Sequence, residues 1–183
     1  EGFDIVVGGE GADAITGDAG DDSLTGDAGN DVIDGGSGHD FLDGGDGEDT
    51  LKGGADNDIL MAGADNDRLE GGSGFDILDG GTGDDVIEGG DQEDILKGGS
   101  GNDLLDGGTG HDVLEGGAGD DSLKGQADND SLFGNDGDDV LSGDVGDDYL
   151  SGGTGDDSLE GGDGIDVFEG GEGNDTLDRK SVV

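Results

Sequence analysis

Gly35-Gly36-Ser37-Gly38-His39-Asp40-Phe41-Leu42-Asp43, followed at once by Gly44-Gly45-Asp46-Gly47-Glu48-Asp49-Thr50-Leu51-Lys52, is one nine-residue phrase written twice. Read outward in both directions, the phrase Gly-Gly-x-Gly-x-Asp-x-U-x, with U a large apolar residue, runs nineteen times from Gly8 to Asp178 without an insertion or deletion. A partial copy precedes it. Position six is Asp throughout: Asp4, Asp13, Asp22, Asp31, Asp40, Asp49, Asp58, Asp67, Asp76, Asp85, Asp94, Asp103, Asp112, Asp121, Asp130, Asp139, Asp148, Asp157, Asp166 and Asp175. Position eight is apolar throughout, from Val6, Ile15 and Leu24 to Phe168 and Leu177. A fixed period of this kind predicts a solenoid, in which every repeat makes the same excursion and stacks on a neighbour.

The first six residues of each repeat are rich in Gly, Asp and Asn, which tolerate positive φ and form turns. The last three, x-U-x, favour a short strand, and strand alternation sends U to one face and its neighbours to the other. A nine-residue turn-strand unit reverses the chain, so two units complete a coil of eighteen residues. The U side chains of two parallel sheets then face each other as a thin core. The expectation is an all-β parallel roll of about 9.5 coils, roughly 45 Å long at ~4.8 Å per coil. Residues 1–178 make its single domain, with the partial repeat at 1–7, full repeats at 8–178 and a C-terminal tail at 179–183.

With 51 acidic and 6 basic residues, the formal charge is −45. Nucleic acid is excluded as a partner, because its phosphates would be repelled. An anionic membrane surface is disfavoured on the same ground, and no apolar run approaches the ~20 residues that span a bilayer. Only 27% of residues are hydrophobic, 48 are Gly and none is Pro or Cys. Such a composition reads as disorder unless something else stabilises the fold. One thin column of apolar side chains cannot offset the entropy of ordering so glycine-rich a chain, and like-charge repulsion opposes compaction. The chain alone is therefore predicted to be unfolded, and a cation that binds only the folded form must supply the difference.

The turn chemistry selects the cation. In the roll, repeats n and n+2 stack directly, so their Asp side chains form a column along each edge that requires cations between successive turns. Calcium takes six to eight oxygens, carboxylate and carbonyl alike, in flexible geometry, and glycine turns expose their carbonyls. Zinc favours His or Cys, and magnesium keeps its waters.

From Gly2 to Asp178 the repeats resemble the RTX calcium-binding nonapeptide. The resemblance implies a right-handed parallel β-roll with an ion between turns n and n+2. Each ion would be held by both Asp carboxylates, by carbonyls from positions one and three of one turn, and by carbonyls from positions two and four of the other. Gly35, Gly36, Ser37, Gly38, Gly53, Gly54, Ala55, Asp56, Gly71, Gly72, Ser73 and Gly74 illustrate the carbonyl donors. Twenty Asp positions allow at most eighteen such pairs, and eighteen Ca2+ would bring the charge from −45 to −9. The resemblance further implies export in unfolded form by bacterial type I secretion, and folding outside the cell where calcium is millimolar. The chain begins inside a repeat with Glu1 and shows no signal peptide, so a piece of a longer secreted protein is expected.

Departures from the phrase concentrate at two positions. Position two is Asp18, Asp27, Gln126, Asn135 or Asp144 in five repeats, and position four is Asp56, Asp65, Gln92 or Asp128 in four. Asp and Asn tolerate left-handed geometry, and Gln does so less well. Ala62 replaces the first Gly of its repeat, so weak sites are expected at the Ala62, Gln92 and Gln126 turns.

Catalytic signatures are absent: there is no His-Glu-x-x-His and no Gly-x-Ser-x-Gly. The roll offers no evident cleft either, and no enzyme is expected. His39 and His111 read as surface residues, and the sequons at Asn129 and Asn174 as by-products of a preference for Asn at position five. Regular Thr-x-Asn rows of an ice-binding edge are missing, since Thr82, Thr109 and Thr154 are followed by Asp84, His111 and Asp156. The two outer faces differ. Alternate repeats carry Phe41, Ile59, Ile77, Ile95 and Val113 at outward position seven, an apolar ladder that suits strand packing or contact with another protein. Two roles are therefore open: a calcium-driven folding module of a larger secreted protein, or a structural spacer or packing element of an extracellular adhesin or surface layer.

Overall fold

The computed structural model describes residues 2–178; the tail at 179–183 and Glu1 lie outside them. Twenty strands follow one another, beginning with β1 (Ile5–Glu10), β2 (Ala14–Thr16) and β3 (Ser23–Ala28) and ending with β18 (Ser158–Asp163), β19 (Val167–Glu172) and β20 (Thr176–Asp178). Odd-numbered strands form one ten-stranded sheet and even-numbered strands a second. Every pairing is parallel with a shift of eighteen residues, as in Ile5↔Ser23 and Ser158↔Thr176. The expected two-sheet parallel roll therefore forms, with about ten coils.

The strands are longer than x-U-x. Most span six residues, positions seven to nine of one repeat and one to three of the next, as in Val32–Ser37. Expecting turn structure across all of positions one to six was wrong for the first three. The reason is the stacking itself. Identical positions meet every eighteen residues, so even the Gly pair Gly36↔Gly54 has a partner in register, whatever its intrinsic strand preference.

Alternation along the strand sends position eight inward. From Ile15 to Leu159 that column is buried and forms one continuous core, with Val6 and Phe168 packed against it at the two ends. Position-seven residues point outward: Phe41, Ile59 and Val113 stay 39%, 40% and 38% exposed, while Ile77 and Ile95 are half-buried within the same ladder. On the second sheet the outer face carries the ion pairs Lys52–Glu70, Arg68–Glu88 and Lys124–Asp144, each linking adjacent coils. The Lys and Arg of the described residues all lie on strands, so the turns of both edges carry no such side chain.

Candidate metal centre

Successive turns alternate between two edges. One carries Asp4, Asp22, Asp40 and onward to Asp166; the other carries Asp13, Asp31, Asp49 and onward to Asp175. Along both, the position-six carboxylates point into the molecule, and from Asp22 to Asp157 none is more than 3% exposed. Asp4 is exposed and Asp13, Asp166 and Asp175 are half-buried.

Each carboxylate is used twice. Its Oδ1 accepts the backbone N–H of the Asp one coil earlier: Asp76 N–H to Asp94, Asp85 N–H to Asp103 and Asp94 N–H to Asp112 are all 2.8 Å. Its Oδ2 has no hydrogen-bond partner. That orphaned, buried oxygen recurs at every position-six residue from Asp13 to Asp157, seventeen in all. One unpaired buried carboxylate oxygen is costly, and a column of them demands a cation or a proton.

Their burial appears directly in the acidity of these groups. Burial pushes the Asp94 carboxyl up to about 8 and those of Asp58, Asp67, Asp121 and Asp130 up to about 7, with repulsion from the neighbouring Asp carboxylates adding to it. Burial likewise raises Asp103, Asp112 and Asp139 to about 6. A backbone N–H donated to each carboxylate opposes the shift without cancelling it.

The glycine at position one makes room for what the oxygens face. A Cβ built on Gly71 would lie 2.6 Å from Asp76 Oδ2 and 2.7 Å from the Gly89 carbonyl oxygen of the next coil. At Gly89 the same two distances, to Asp94 Oδ2 and the Gly107 carbonyl, are again 2.6 and 2.7 Å. Carboxylate and carbonyl oxygens therefore converge on a cradle that a side chain would fill. Carbonyls of positions two and four point the other way along the column, as Gly36 does toward Gly54 and Gly20 toward Gly38. Position three points back, its carbonyl accepting from position four of the preceding coil, as in Gly38 N–H to Ala55 at 3.1 Å. All four carbonyl types thus face the gaps between stacked turns. This donor set is rich in hard oxygen, and among the described residues no group of three or more His, Cys, Asp or Glu side chains converges. It fits calcium and suits zinc poorly.

The nine departures at positions two and four are the nine non-glycine residues with positive φ, between 69° at Asp18 and 80° at Gln92. Position four has a further consequence. Where it is Gly, its N–H bonds the position-three carbonyl of the next coil, at 2.7 Å for Gly2 and 2.8 Å for Gly83. Asp56, Asp65, Gln92 and Asp128 make no such bond. The cause is steric: a Cβ at Gly110 would sit 2.8 Å from the Glu93 nitrogen and against the Gln92 carbonyl, so a residue with a Cβ cannot seat there as Gly does. The Ala62, Gln92 and Gln126 turns all contain one of these four residues. In the Gln126 turn it is Asp128, not Gln126, that loses the bond.

Sequence reasoning missed a second ladder. Position-five side chains accept the N–H of position five one coil later, as in Asp84 N–H to Asn66 Oδ1 and Asn102 N–H to Asp84 Oδ1, both 2.8 Å. His39 and His111 are rungs of it: Nδ1 accepts from Asn57 N–H at 3.1 Å and from Asn129 N–H at 2.9 Å. Asn129 of the first sequon is another rung, accepting Asp147 N–H at 2.8 Å. The Asn preference at position five was the available signal, and it reports turn stacking.

A sequence profile of the RTX calcium-binding nonapeptide repeat matches the chain in overlapping stretches, 1–33, 34–69, 43–78, 70–105, 79–114, 106–141, 115–150 and 142–177. A search against curated proteins finds no match.

Proposed function

Because the chain belongs to the RTX calcium-binding nonapeptide repeat family, we propose that it is a calcium-driven folding module of a larger secreted bacterial protein, in which the ion completes the fold. The observation that carries this reading is the column of seventeen orphaned Asp Oδ2 atoms, buried where no Lys or Arg reaches them. When bound, calcium supplies the positive charge that lets facing carboxylates stay ionised in a dry gap. The chain's own residues do the rest. Position-six Asp pairs such as Asp85 and Asp103 offer carboxylate oxygens to one gap, and turn carbonyls such as Gly35, Gly36, Ser37 and Gly38 complete the shell. Position-one Gly keeps the gap open. Up to eighteen ions follow from the Asp pairs. Since the ligand set exists only in the folded chain, ion binding is folding energy. A chain held unfolded at submicromolar calcium and folded at millimolar calcium suits export before folding.

The test is an ion count by equilibrium dialysis at millimolar free calcium, alongside protease resistance. Close to eighteen ions per chain with calcium-dependent resistance is expected. Few bound ions, or equal resistance in chelator, would overturn the reading.

A second reading rests on the exposed ladder of Phe41, Ile59, Ile77, Ile95 and Val113, which suits a packing element of an adhesin or surface layer. Analytical ultracentrifugation of calcium-loaded chain against Ile59→Thr/Ile77→Thr/Ile95→Thr distinguishes it. Association lost in the variant supports a docking face, and a monomeric wild type leaves the ladder as strand packing.

A further inference from the structure

Three consecutive links between turns fail at one place on the Asp4 edge. Gln92 N–H does not bond the Thr109 carbonyl, Glu93 N–H finds no acceptor because Phe75 offers none, and His111 N–H donates nothing to the Glu93 carboxylate. The nearest position-four bonds on that edge, Gly74 N–H to Asp91 and Gly110 N–H to Ala127, are stretched to 3.2 Å. At the same level on the Asp13 edge, Gly83 N–H to Ser100 and Gly101 N–H to Ala118 measure 2.8 Å, and the Asn66–Asp84–Asn102 rungs are unbroken. The strands around the broken turn keep their partners, Ile77↔Ile95↔Val113 in one sheet and Arg68↔Val86↔Leu104 in the other. A surface cavity of about 350 Å³ opens at the break, lined by Phe75, Gln92, Glu93, Gly110, His111 and Asp128.

We propose that the Gln92–Glu93 turn is a calcium-controlled seam: the first part of the roll to open as calcium falls, hinged on the intact Asp13 edge. The inference rests on the calcium reading above. At neighbouring turns at least one of the two kinds of hydrogen bond shares with the ions the work of holding one turn on the next. At the seam the Gln92, Glu93 and His111 N–H groups make none of these links and one stretched bond, Gly74 N–H to Asp91, remains. Beside the carboxylate ladder, the ions between Asp76 and Asp94 and between Asp94 and Asp112 therefore do most of the work of holding the turn. Opening it breaks no strand pairing, which keeps the cost local. Calcium sensing would then be graded: the seam opens in a range of calcium where the rest of the rod stays closed. Asp56 and Asp128 also lack the position-four bond, but their neighbours Asn57 and Asn129 keep the position-five rung to His39 and His111. Gln92 is the place on that edge where both kinds fail together.

Hydrogen exchange read by mass spectrometry, on the whole chain at stepped free calcium, tests this. The hydrogen-bonded amides of Asp94, Gly110 and Asp112 should lose protection at about tenfold higher calcium than those of Asp85, Gly101 and Asp103, since the three missing hydrogen bonds together are worth about a hundredfold in the opening equilibrium and opening releases two ions. Phe75→Asn/Gln92→Gly/Glu93→Asn restores both kinds of link and should bring the midpoints together. Gly101→Gln/Asn102→Phe removes two of the three kinds of contact on the other edge and should create a smaller offset of the same sign there. If wild-type Asp94 loses protection at the same calcium as Asp85, the seam is wrong and the calcium reading stands. If both turns stay protected in chelator, the calcium reading itself fails. Should either variant not fold, the wild-type offset alone still decides.

Discussion

The Asp4 edge and the Asp13 edge are built from one phrase and carry the same buried Asp column, yet their turns are latched differently. From Gly83 onward the Asp13 edge repeats its position-four bond at 2.8 Å five times, through Gly101, Gly119, Gly137 and Gly155. Six position-five rungs run beside it without a break, from Asn66 to Asn174. Over the same length the Asp4 edge loses the bond at Gln92 and Asp128 and stretches it to 3.2 Å at Gly110 between them, while earlier in the chain each edge loses it once, at Asp56 and at Asp65. The carboxylate ladder ignores the difference and stays near 2.8 Å on both edges. The strict part of the repeat fixes the ion column, and single residues at positions four and five decide how much of the turn the backbone holds by itself.

The largest expected effect treats both edges alike. In the metal-free fold these carboxyls are raised above their ordinary 3.8, to about 8 at Asp94, 7 at Asp67 and Asp121, and 6 at Asp112. Between those limits the folded form holds protons that the unfolded chain has released, so their stabilisation is full below pH ~4 and is lost as pH rises through 6 to 8. In chelator, acidification from pH 8 to 5 should therefore recover β signal. In calcium the same change should raise the calcium midpoint, because protons compete for the Oδ2 atoms. Circular dichroism at fixed free calcium reads both. A response confined to turns of one edge would break the equivalence of the two columns.

Single carboxylates come next. Asp103→Ala orphans the Asp85 N–H and removes a ligand from the gaps above and below; Asp94→Ala does the same to Asp76 at the seam. Each should cost about 3–5 kcal/mol in calcium, as breaking a buried charge pair does. Asp94→Ala should cost the more, because its turn lacks the Gln92 bond and both position-five rungs and keeps only a stretched position-four bond to the preceding turn. Urea melts in saturating calcium compare them, and an Asp103→Ala that is the worse of the two would invert the comparison of edges.

Smaller effects probe the cradle. Gly98→Ala places a methyl group 2.6 Å from the Gly116 carbonyl and against Asp103 Oδ2, and should cost about 1–3 kcal/mol as an overpacked site. Ala62 is a natural version of that change and is fully buried, so Ala62→Gly should tighten calcium binding at the neighbouring gap. Equal calcium affinity in Ala62→Gly and wild type, measured by titration calorimetry, would remove position one from the site. Smallest of all is Lys52→Met. Its pair with Glu70 lies exposed on a sheet face, away from both edges, and should be worth 0–1 kcal/mol with no change in calcium midpoint.

Much of this was legible in the sequence because its period is so strict. A nine-residue repeat with one fixed Asp and one fixed apolar position dictates strand stacking, the inward column and the Asp edges. The nine residues singled out at positions two and four are the nine that adopt positive φ, since only a turn needing left-handed backbone selects Gly, Asn and Asp there so consistently. The strand length was misread because propensity belongs to one strand, whereas pairing here comes from an identical neighbour eighteen residues away. Position-five rungs were missed for a related reason. A side chain that bonds the next coil looks, in one dimension, like any polar residue in a turn. The unequal edges were written in the 36-residue spacing of Asp56, Gln92 and Asp128, but their effect depends on a carbonyl one coil away.

The central claim is that the buried Asp columns need calcium in order to fold. Far-ultraviolet circular dichroism of the chain at pH 8, titrated with free calcium from chelated to 10 mM, tests it most directly. The account expects an unfolded spectrum in chelator and a cooperative gain of β signal at roughly 10⁻⁴–10⁻³ M, the range of extracellular calcium modules. Magnesium at the same concentrations should leave the chain unfolded. A β spectrum that persists in excess chelator at pH 8, or that magnesium alone induces, would contradict the account.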